Sequence, residues 1–279
     1  MRNWILVSSV VLMGSCTANA DRVTQLPATP NISAEPAFSS PEVTEIVPPL
    51  SLQMSWQIQY SGEMDYSLDV DVYNLDLFDT PTETISQLKE RGVFVMCYFS
   101  AGSHEDWRLD ASDFPSETLG KPMEGWAGET WLDIRQLTKL RPLMESRLEM
   151  ARAKGCDGVD PDNVNGYEND TGFPLTYDDQ ITFNTFLANE AHERNLAIGL
   201  KNDLNQIPDL LPYFDWIINE ECFSYNECDL LLPFLKAGKP VFVIEYERSP
   251  QEFCEQANLM GFNALHKNWE LDAYRVACR

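Results

Sequence analysis

Basic side chains are scarce in this chain of 279 residues: 20 Lys and Arg stand against 44 Asp and Glu, for a formal charge of −24. Such a charge repels a phosphate backbone, so it argues against nucleic acid as a partner and fits a neutral or cationic one. Histidine is scarcer still: His104, His192 and His266 form no His-x-x-His pair, so zinc or iron is not expected, a hard cation such as Mg or Ca is left open, and no metal ligand or cofactor is assigned. The absence of any Cys-x-x-Cys pair disfavours a zinc ribbon or a thioredoxin-like site. The absence of Gly-x-Gly-x-x-Gly and of a phosphate loop removes the nucleotide sites those patterns build. No apolar run reaches the roughly 18 residues of a membrane span. What the chain does have is 44% hydrophobic residues, enough for a sizeable core.

The first residues read as an export signal. Arg2 precedes the apolar stretch Trp4 to Gly14, and residues 1–20 end in Ala18-Asn19-Ala20, the small-residue spacing of a signal-peptidase site. Leu12-Met13-Gly14-Ser15-Cys16 is also similar to a bacterial lipobox, so a lipid anchor at Cys16 is the one membrane link expected. Residues 21–50 are rich in Pro, Ser, Thr and Glu, which cannot bury apolar surface, and read as an extended tether. Residues 51–279 are then the single folded domain, expected to act as a monomer. Setting Cys16 aside leaves six cysteines, an even number for an exported chain. Cys222 and Cys228 could staple a polar loop and Cys254 and Cys278 could tie down the C-terminus. Cys97 and Cys156 are read equally well as buried free thiols.

From residue 50 onward, eight short apolar, β-branched or aromatic runs predict strands: 56–60, 72–78, 93–100, 156–163, 197–203, 216–223, 241–246 and 262–268. Helical spacing predicts helices over 81–91, about 137–154, and within 178–194. Strands alternating with one-faced helices indicate a parallel α/β fold, and eight units suit a (β/α)8 barrel of the TIM type. In such a barrel, chemistry sits where strands end and βα loops begin. Those ends are polar here: Asp76; Ser100; Asp160-Pro161-Asp162-Asn163; Lys201-Asn202-Asp203; Asn219-Glu220-Glu221; Glu245 and Glu247; and His266-Lys267-Asn268.

Period-two alternation puts Asp160 and Asp162 on one strand face, where like charges perturb each other. Glu220 emerges from Trp216-Ile217-Ile218-Asn219, so desolvation is expected to raise its pKa and suit it to proton donation. An acid facing an ionised carboxylate is the arrangement glycoside hydrolysis requires. Trp126 and Trp131 supply aromatic platforms of the kind sugars stack on. The glycine-broken stretch holding them, Trp126 to Asp133, is expected to be a loop lid.

Four segments in order carry a family resemblance: Cys97-Tyr98-Phe99-Ser100-Ala101-Gly102-Ser103; Gly125-Trp126 with Trp131-Leu132-Asp133-Ile134-Arg135; Asp157-Gly158-Val159-Asp160-Pro161-Asp162-Asn163; and Asn219-Glu220-Glu221-Cys222 with Cys228. Together they resemble glycoside hydrolase family 114, whose members are (β/α)8-barrel endo-α-1,4-polygalactosaminidases. The resemblance implies cleavage inside α-1,4-linked galactosamine chains, with Asp162 as nucleophile, Glu220 as acid/base and Asp160 as the rival for Asp162. It also implies retention of configuration and supports the Cys222–Cys228 disulfide. Glu221 departs from the glutamine expected there. The acidic charge fits an amino-sugar polysaccharide substrate, whose free amines are ammonium ions. Asp76, Asp133, Glu245 and Glu247 are candidates for binding those amines and Lys201 and Asn202 for hydroxyls. Tyr98, Ser100, Trp126, Trp131 and Lys267 complete the candidate substrate-binding set.

Three alternatives remain at this stage. A family-18-like chitinase shares the Asp-Gly start and two aspartates, but Val164 stands where that signature needs glutamate. A hard-cation phosphodiesterase barrel would also cluster Asp and Glu. A non-catalytic polysaccharide-binding barrel would keep the cleft without the reaction.

Overall fold

The computed structural model describes residues 50–279. The signal, the tether and Cys16 lie outside the described residues. Eight parallel strands follow the order of the chain: β1 (Trp56–Gln59), β2 (Val72–Asp76), β3 (Phe94–Ser100), then β7 (Gly158–Asp162), β8 (Ala197–Lys201), β9 (Trp216–Glu220), β10 (Val241–Glu245) and β11 (Asn263–His266). All eight predicted runs contain one of these strands, and the arrangement is the (β/α)8 fold of the TIM type. Helices α1 (Thr82–Glu90), α2 (Leu137–Lys154), α3 (Tyr177–Glu193), α4 (Ile207–Leu210), α5 (Cys222–Tyr225), α6 (Leu232–Lys236) and α7 (Pro250–Met260) lie in the crossovers from β2 onward, and residues 60–71 join β1 to β2 without a helix. Strand β12 (Val276–Ala277) runs antiparallel on β11. The Trp56 indole links the first parallel strand to the last by donating to Asn263 O at 3.0 Å, and Arg275 Nε, just before β12, donates to Trp56 O at 2.7 Å.

Alternation along each strand divides the apolar residues between two cores. Trp56, Ile58, Val72, Phe94, Met96, Ile218, Phe242, Ile244 and Leu265 point inward and fill the barrel. Their neighbours Tyr73, Leu75, Val95, Val159, Ile198, Ile217 and Val243 pack outward with Leu140, Met144, Phe183, Leu187 and Phe253 of the helices. Inward glycines make room for the largest filler. A Cβ on Gly199 would lie 2.1 Å from Trp216 Nε1, and one on Gly158 would lie 2.6 Å from Trp216 Cη2. Glycine is used differently at Gly155, where φ of 87° ends α2 in the left-handed cap that a side chain disfavours.

Between β3 and α2 the chain departs from the expected loop lid. β4 (Ser103–Glu105), β5 (Leu119–Pro122) and β6 (Glu129–Leu132) form an antiparallel sheet in the order β4-β6-β5. Trp131 therefore sits in a paired strand and is 8% exposed. Disulfides join Cys222 to Cys228 and Cys254 to Cys278, as the sequence suggested. Cys97 and Cys156 are also bonded, which corrects the free-thiol reading. Neighbouring β3 and β7 bring them together across 59 residues, a loop whose closure is worth about 4 kcal/mol in the chain-entropy account.

Candidate active site

The site grows out of three consecutive strand ends. β7 ends at Asp162, β8 at Lys201 and β9 at Glu220, each in phase with the inward-facing positions of its strand. The next residue in each case, Asn163, Asn202 and Glu221, has a positive φ of 61°, 52° and 64°. Asparagine tolerates that left-handed turn better than most residues, whereas glutamate at 221 stores strain beside the site. A neighbouring turn presses on the first of these ends. Ala101 N and Gly102 N both donate to Asp162 O, and a Cβ on Gly102 would lie 1.7 Å from Asn163 O. We predict that Gly102→Ala displaces this turn and lowers kcat by about a hundredfold, since misplacement on the order of 1 Å has that effect. Steady-state kinetics of the folded variant check it.

Lys201 sits 2% exposed on the floor of a cleft of about 660 Å³. Its Nζ lies 3.3 Å from Asp162 Oδ2 and 3.3 Å from Glu220 Oε2, so a single ammonium bridges the two carboxylates. Glu220 is further held by Tyr246, whose hydroxyl donates a short hydrogen bond to Oε1, and by Asn202 Nδ2, which donates to Oε2 at 3.2 Å. Asn202 Oδ1 accepts from Glu220 N at 2.9 Å, so the amide clamps strand end and side chain together. Burial pushes the Glu220 pKa up, but Lys201, Tyr246 and Asn202 outweigh it and hold the carboxyl below its usual range. The sequence-based expectation of a raised value is thereby corrected: desolvation is present but is overcome by the counter-charge. Burial also works against the Lys201 charge, and Asp162, Glu220 and Asp160 together raise its pKa despite that.

Asp160 is fully buried behind the cleft. Asn74 Nδ2 donates to its Oδ2 at 2.7 Å, and burial, with Asp162 and Glu220 adding and Lys201 and Asn74 opposing, pushes its pKa up to about 6. Asp162, by contrast, is half-buried and lines the cleft.

Tyr98, Trp126, Lys201 and Asn202 of the candidate binding set line the cleft with the two carboxylates. The remaining candidates are engaged elsewhere. Arg108 takes both oxygens of Asp76, and Arg135 takes both oxygens of Asp133. Glu245 is fully buried and accepts from Phe223 N and Ser224 Oγ, capping α5. Glu247 accepts from the Trp269 indole at 2.7 Å. Lys267 donates to Gln57 Oε1 and Asp272 O, and burial lowers its pKa to about 8. Ser100 is buried and holds Asn163 Nδ2 through its Oγ at 2.8 Å. Trp131 borders an adjoining hollow of about 410 Å³ that shares Trp126, Asn163 and Asn165 with the main cleft.

Sequence reasoning passed over Tyr60, Glu129, Tyr246 and Trp269, all of which line the cleft. Inward alternation of Phe242, Ile244 and Tyr246 is the signal that finds Tyr246 and rejects Glu245. Burial pushes Glu129 up to about 7, against a 2.7 Å hydrogen bond from Ser103 Oγ. Among the described residues no group of three His, Cys, Asp or Glu is arranged to hold a metal ion.

Paired carboxylates in a cleft at the strand ends of a barrel are equipment for breaking a glycosidic bond. The model of glycoside-hydrolase family GH114 matches residues 34–279. The chain belongs to family GH114. It is therefore a glycoside hydrolase. Among solved structures, this GH114 chain is similar to Ega3 of Aspergillus fumigatus in complex with galactosamine. The identity is 42%, with 85% of this chain and 100% of that one covered, at a TM-score of 0.80. The glycoside hydrolase domain of PelA from Pseudomonas aeruginosa shares the fold at 14% identity, covering 80% of this chain and 98% of that one, at a TM-score of 0.64. A GH18 chitinase from Pseudoalteromonas aurantia shares it at 13% identity, covering 78% and 95%, at a TM-score of 0.50. No curated protein sequence matches the chain.

Proposed function

We propose that this GH114 enzyme cuts within α-1,4-linked galactosamine polymers by double displacement, with Asp162 as nucleophile and Glu220 as acid/base. The observation that carries the reading is the Lys201 ammonium placed 3.3 Å from a carboxylate oxygen of each. Those oxygens cannot be farther apart than twice that distance, which favours the roughly 5–5.5 Å spacing of retaining enzymes over the wider gap of inverting ones. The partly exposed position of Asp162 favours it over the enclosed Asp160.

Glu220 would protonate the glycosidic oxygen while Asp162 attacks the anomeric carbon. The ester then formed on Asp162 carries no charge, so Glu220 is left as the ion-pair partner of Lys201, with Asp160 more remote behind it. That pairing favours the ionised carboxylate, which removes a proton from the attacking water in the second step. Because the free enzyme holds the Glu220 proton weakly, the protonated fraction falls early as pH rises. The alkaline limb of kcat/KM is therefore expected on the acid side of neutrality, as a pH–rate profile would show.

Substrate identity is supported by charge and by likeness. Glu129, Asp162, Glu168, Glu220, Glu221 and Glu227 line the cleft with Lys201 as their cation, an environment for an ammonium-bearing sugar chain. Ega3, at 42% identity, was solved with galactosamine bound. The hollow beyond Trp126 lengthens the cleft, as an enzyme attacking mid-chain requires. KM for the polymer is expected to rise with added salt, because screening weakens the attraction between cleft and ammonium groups. Three disulfides suit an oxidising compartment. Cleavage after Ala20 would release the barrel outside the cell, whereas cleavage before a lipid-anchored Cys16 would hold it on the envelope; in either case the Pro-rich stretch up to residue 50 serves as tether and the barrel works as a monomer. The test is reducing-end release from a partly deacetylated α-1,4-galactosamine polymer, with chitin and a neutral galactan alongside. Release from the amino-sugar polymer alone supports the reading, and a chain inert on it would overturn it.

A further inference from the structure

Tyr246 is buried at the inward position that follows β10, and its ring lies against Trp269 with centroids 4.2 Å apart and planes 19° from parallel. Trp269 is half exposed on the cleft wall and is itself fixed by the hydrogen bond from its indole to Glu247. The phenol oxygen reaches Glu220 Oε1, while Lys201 and Asn202 occupy Oε2. Each oxygen of Glu220 thus has its own anchor, and only Oε1 depends on a single one among the described residues.

We propose that Tyr246, backed by Trp269, is a positioning residue that fixes the orientation of the Glu220 carboxyl and stabilises its ionised form. The proposal rests on the reading of Glu220 as acid/base. Burial raises the Tyr246 pKa, with Glu220 adding to the effect, so the phenol keeps its proton and acts as a donor. Other groups also face Glu220: Lys201 from β8, Asp160 and Asp162 from β7, Tyr60 after β1, and Glu221 beside it. Among the described residues the hydrogen bond to Oε1 comes from Tyr246, so Tyr246→Phe removes a defined interaction and leaves their charges in place. Trp269 gives the ring a flat backing, so the hydroxyl cannot swing away from Oε1 without unstacking.

Two consequences separate positioning from a merely structural role. Loss of a hydrogen bond to a charged group should lower kcat by about ten- to a hundredfold with KM little changed. Donation to the carboxylate favours its ionised form, so removing it raises the Glu220 pKa and moves the alkaline limb of kcat/KM to higher pH. Trp269→Leu keeps the hydroxyl and should move the limb the same way by a smaller amount.

The experiment compares pH–rate profiles of the parent enzyme, Tyr246→Phe and Trp269→Leu on the galactosamine polymer. It is paired with 13C NMR titration of carboxyl-labelled Glu220 in the same proteins. An upward move of both limb and titration in Tyr246→Phe supports the proposal. A Glu220 titration and a limb that superimpose on the parent's would overturn it, even where kcat has fallen. The NMR arm needs no turnover, so it decides the matter even if the polymer proves to be the wrong substrate. Should Tyr246→Phe fail to fold, Trp269→Leu carries the test with the same two outcomes.

Discussion

Asp162→Asn and Glu220→Gln should each lower hydrolysis of the galactosamine polymer by at least about a thousandfold, the upper range for loss of a nucleophile or a general acid. The two side chains project from the strand ends on either side of β8 onto its one ammonium, so both amides keep nearly the native shape and remove only the chemistry. The losses should differ in kind. An amide at 162 stops formation of the glycosyl-enzyme, whereas an amide at 220 leaves an attacking carboxylate without its acid. On an activated aryl α-galactosaminide, whose phenolate leaves without an acid, added azide should therefore restore turnover to Glu220→Ala with an α-azide product, and to Asp162→Gly with a β-azide. Asp160→Asn is the internal control. Asp160 is enclosed and is held by Asn74, so the expected loss is only about tenfold, the worth of one hydrogen bond to a charged group. A thousandfold loss there, with activity surviving in Asp162→Asn, would exchange their roles.

Lys201→Met carries the second large effect. The methionine fills the same inward space between Gly199 and the cleft but leaves Asp160, Asp162 and Glu220 without their shared cation. Removing one partner from a buried ionic group typically costs about 3–5 kcal/mol. Asp162 and Glu220 side chains are 21% and 26% exposed, so water relieves part of this and about 2–3 kcal/mol is the expected loss of stability. For a domain of this size that corresponds to a fall in melting temperature of roughly 5–10 °C. Activity should fall by more than about a hundredfold, because preorganised charge at the reacting centre is lost. The alkaline limb should also move up, since the cation that holds the Glu220 proton weakly is gone. Unchanged melting and an unshifted profile would show that Lys201 is a bystander.

Both effects trace to a pattern partly readable in the sequence. The barrel strands were legible because parallel strands covered on both faces become continuous apolar runs, as in Val241-Phe242-Val243-Ile244. Period two also assigned Asp160 and Asp162 to one face. Carried through every strand, the same phase places Tyr60, Asn74, Tyr98, Lys201, Glu220 and Tyr246 inward, and it separates Tyr246 from the outward Glu245. Phase alone was not sufficient, since Asp76 and Lys267 share it but are taken by Arg108 and by Gln57 with the Asp272 carbonyl. The interceptions by Arg108 and Gln57 depend on residues distant in sequence. The β4-β6-β5 sheet was unreadable for another reason: β5 is Leu119-Gly120-Lys121-Pro122, short, polar and half exposed, with no apolar alternation to register. The Cys97–Cys156 pair was equally hidden, because only the adjacency of β3 and β7 joins them.

The most direct test of the two-carboxylate account is the configuration of the first product. Proton NMR of early polymer hydrolysis reads it before mutarotation mixes the anomers. Two carboxylates bridged by a single Lys201 ammonium predict that the α-anomer appears first and the β-anomer grows in later. A β-anomer appearing first would mean direct attack by water, and would contradict Asp162 as the nucleophile.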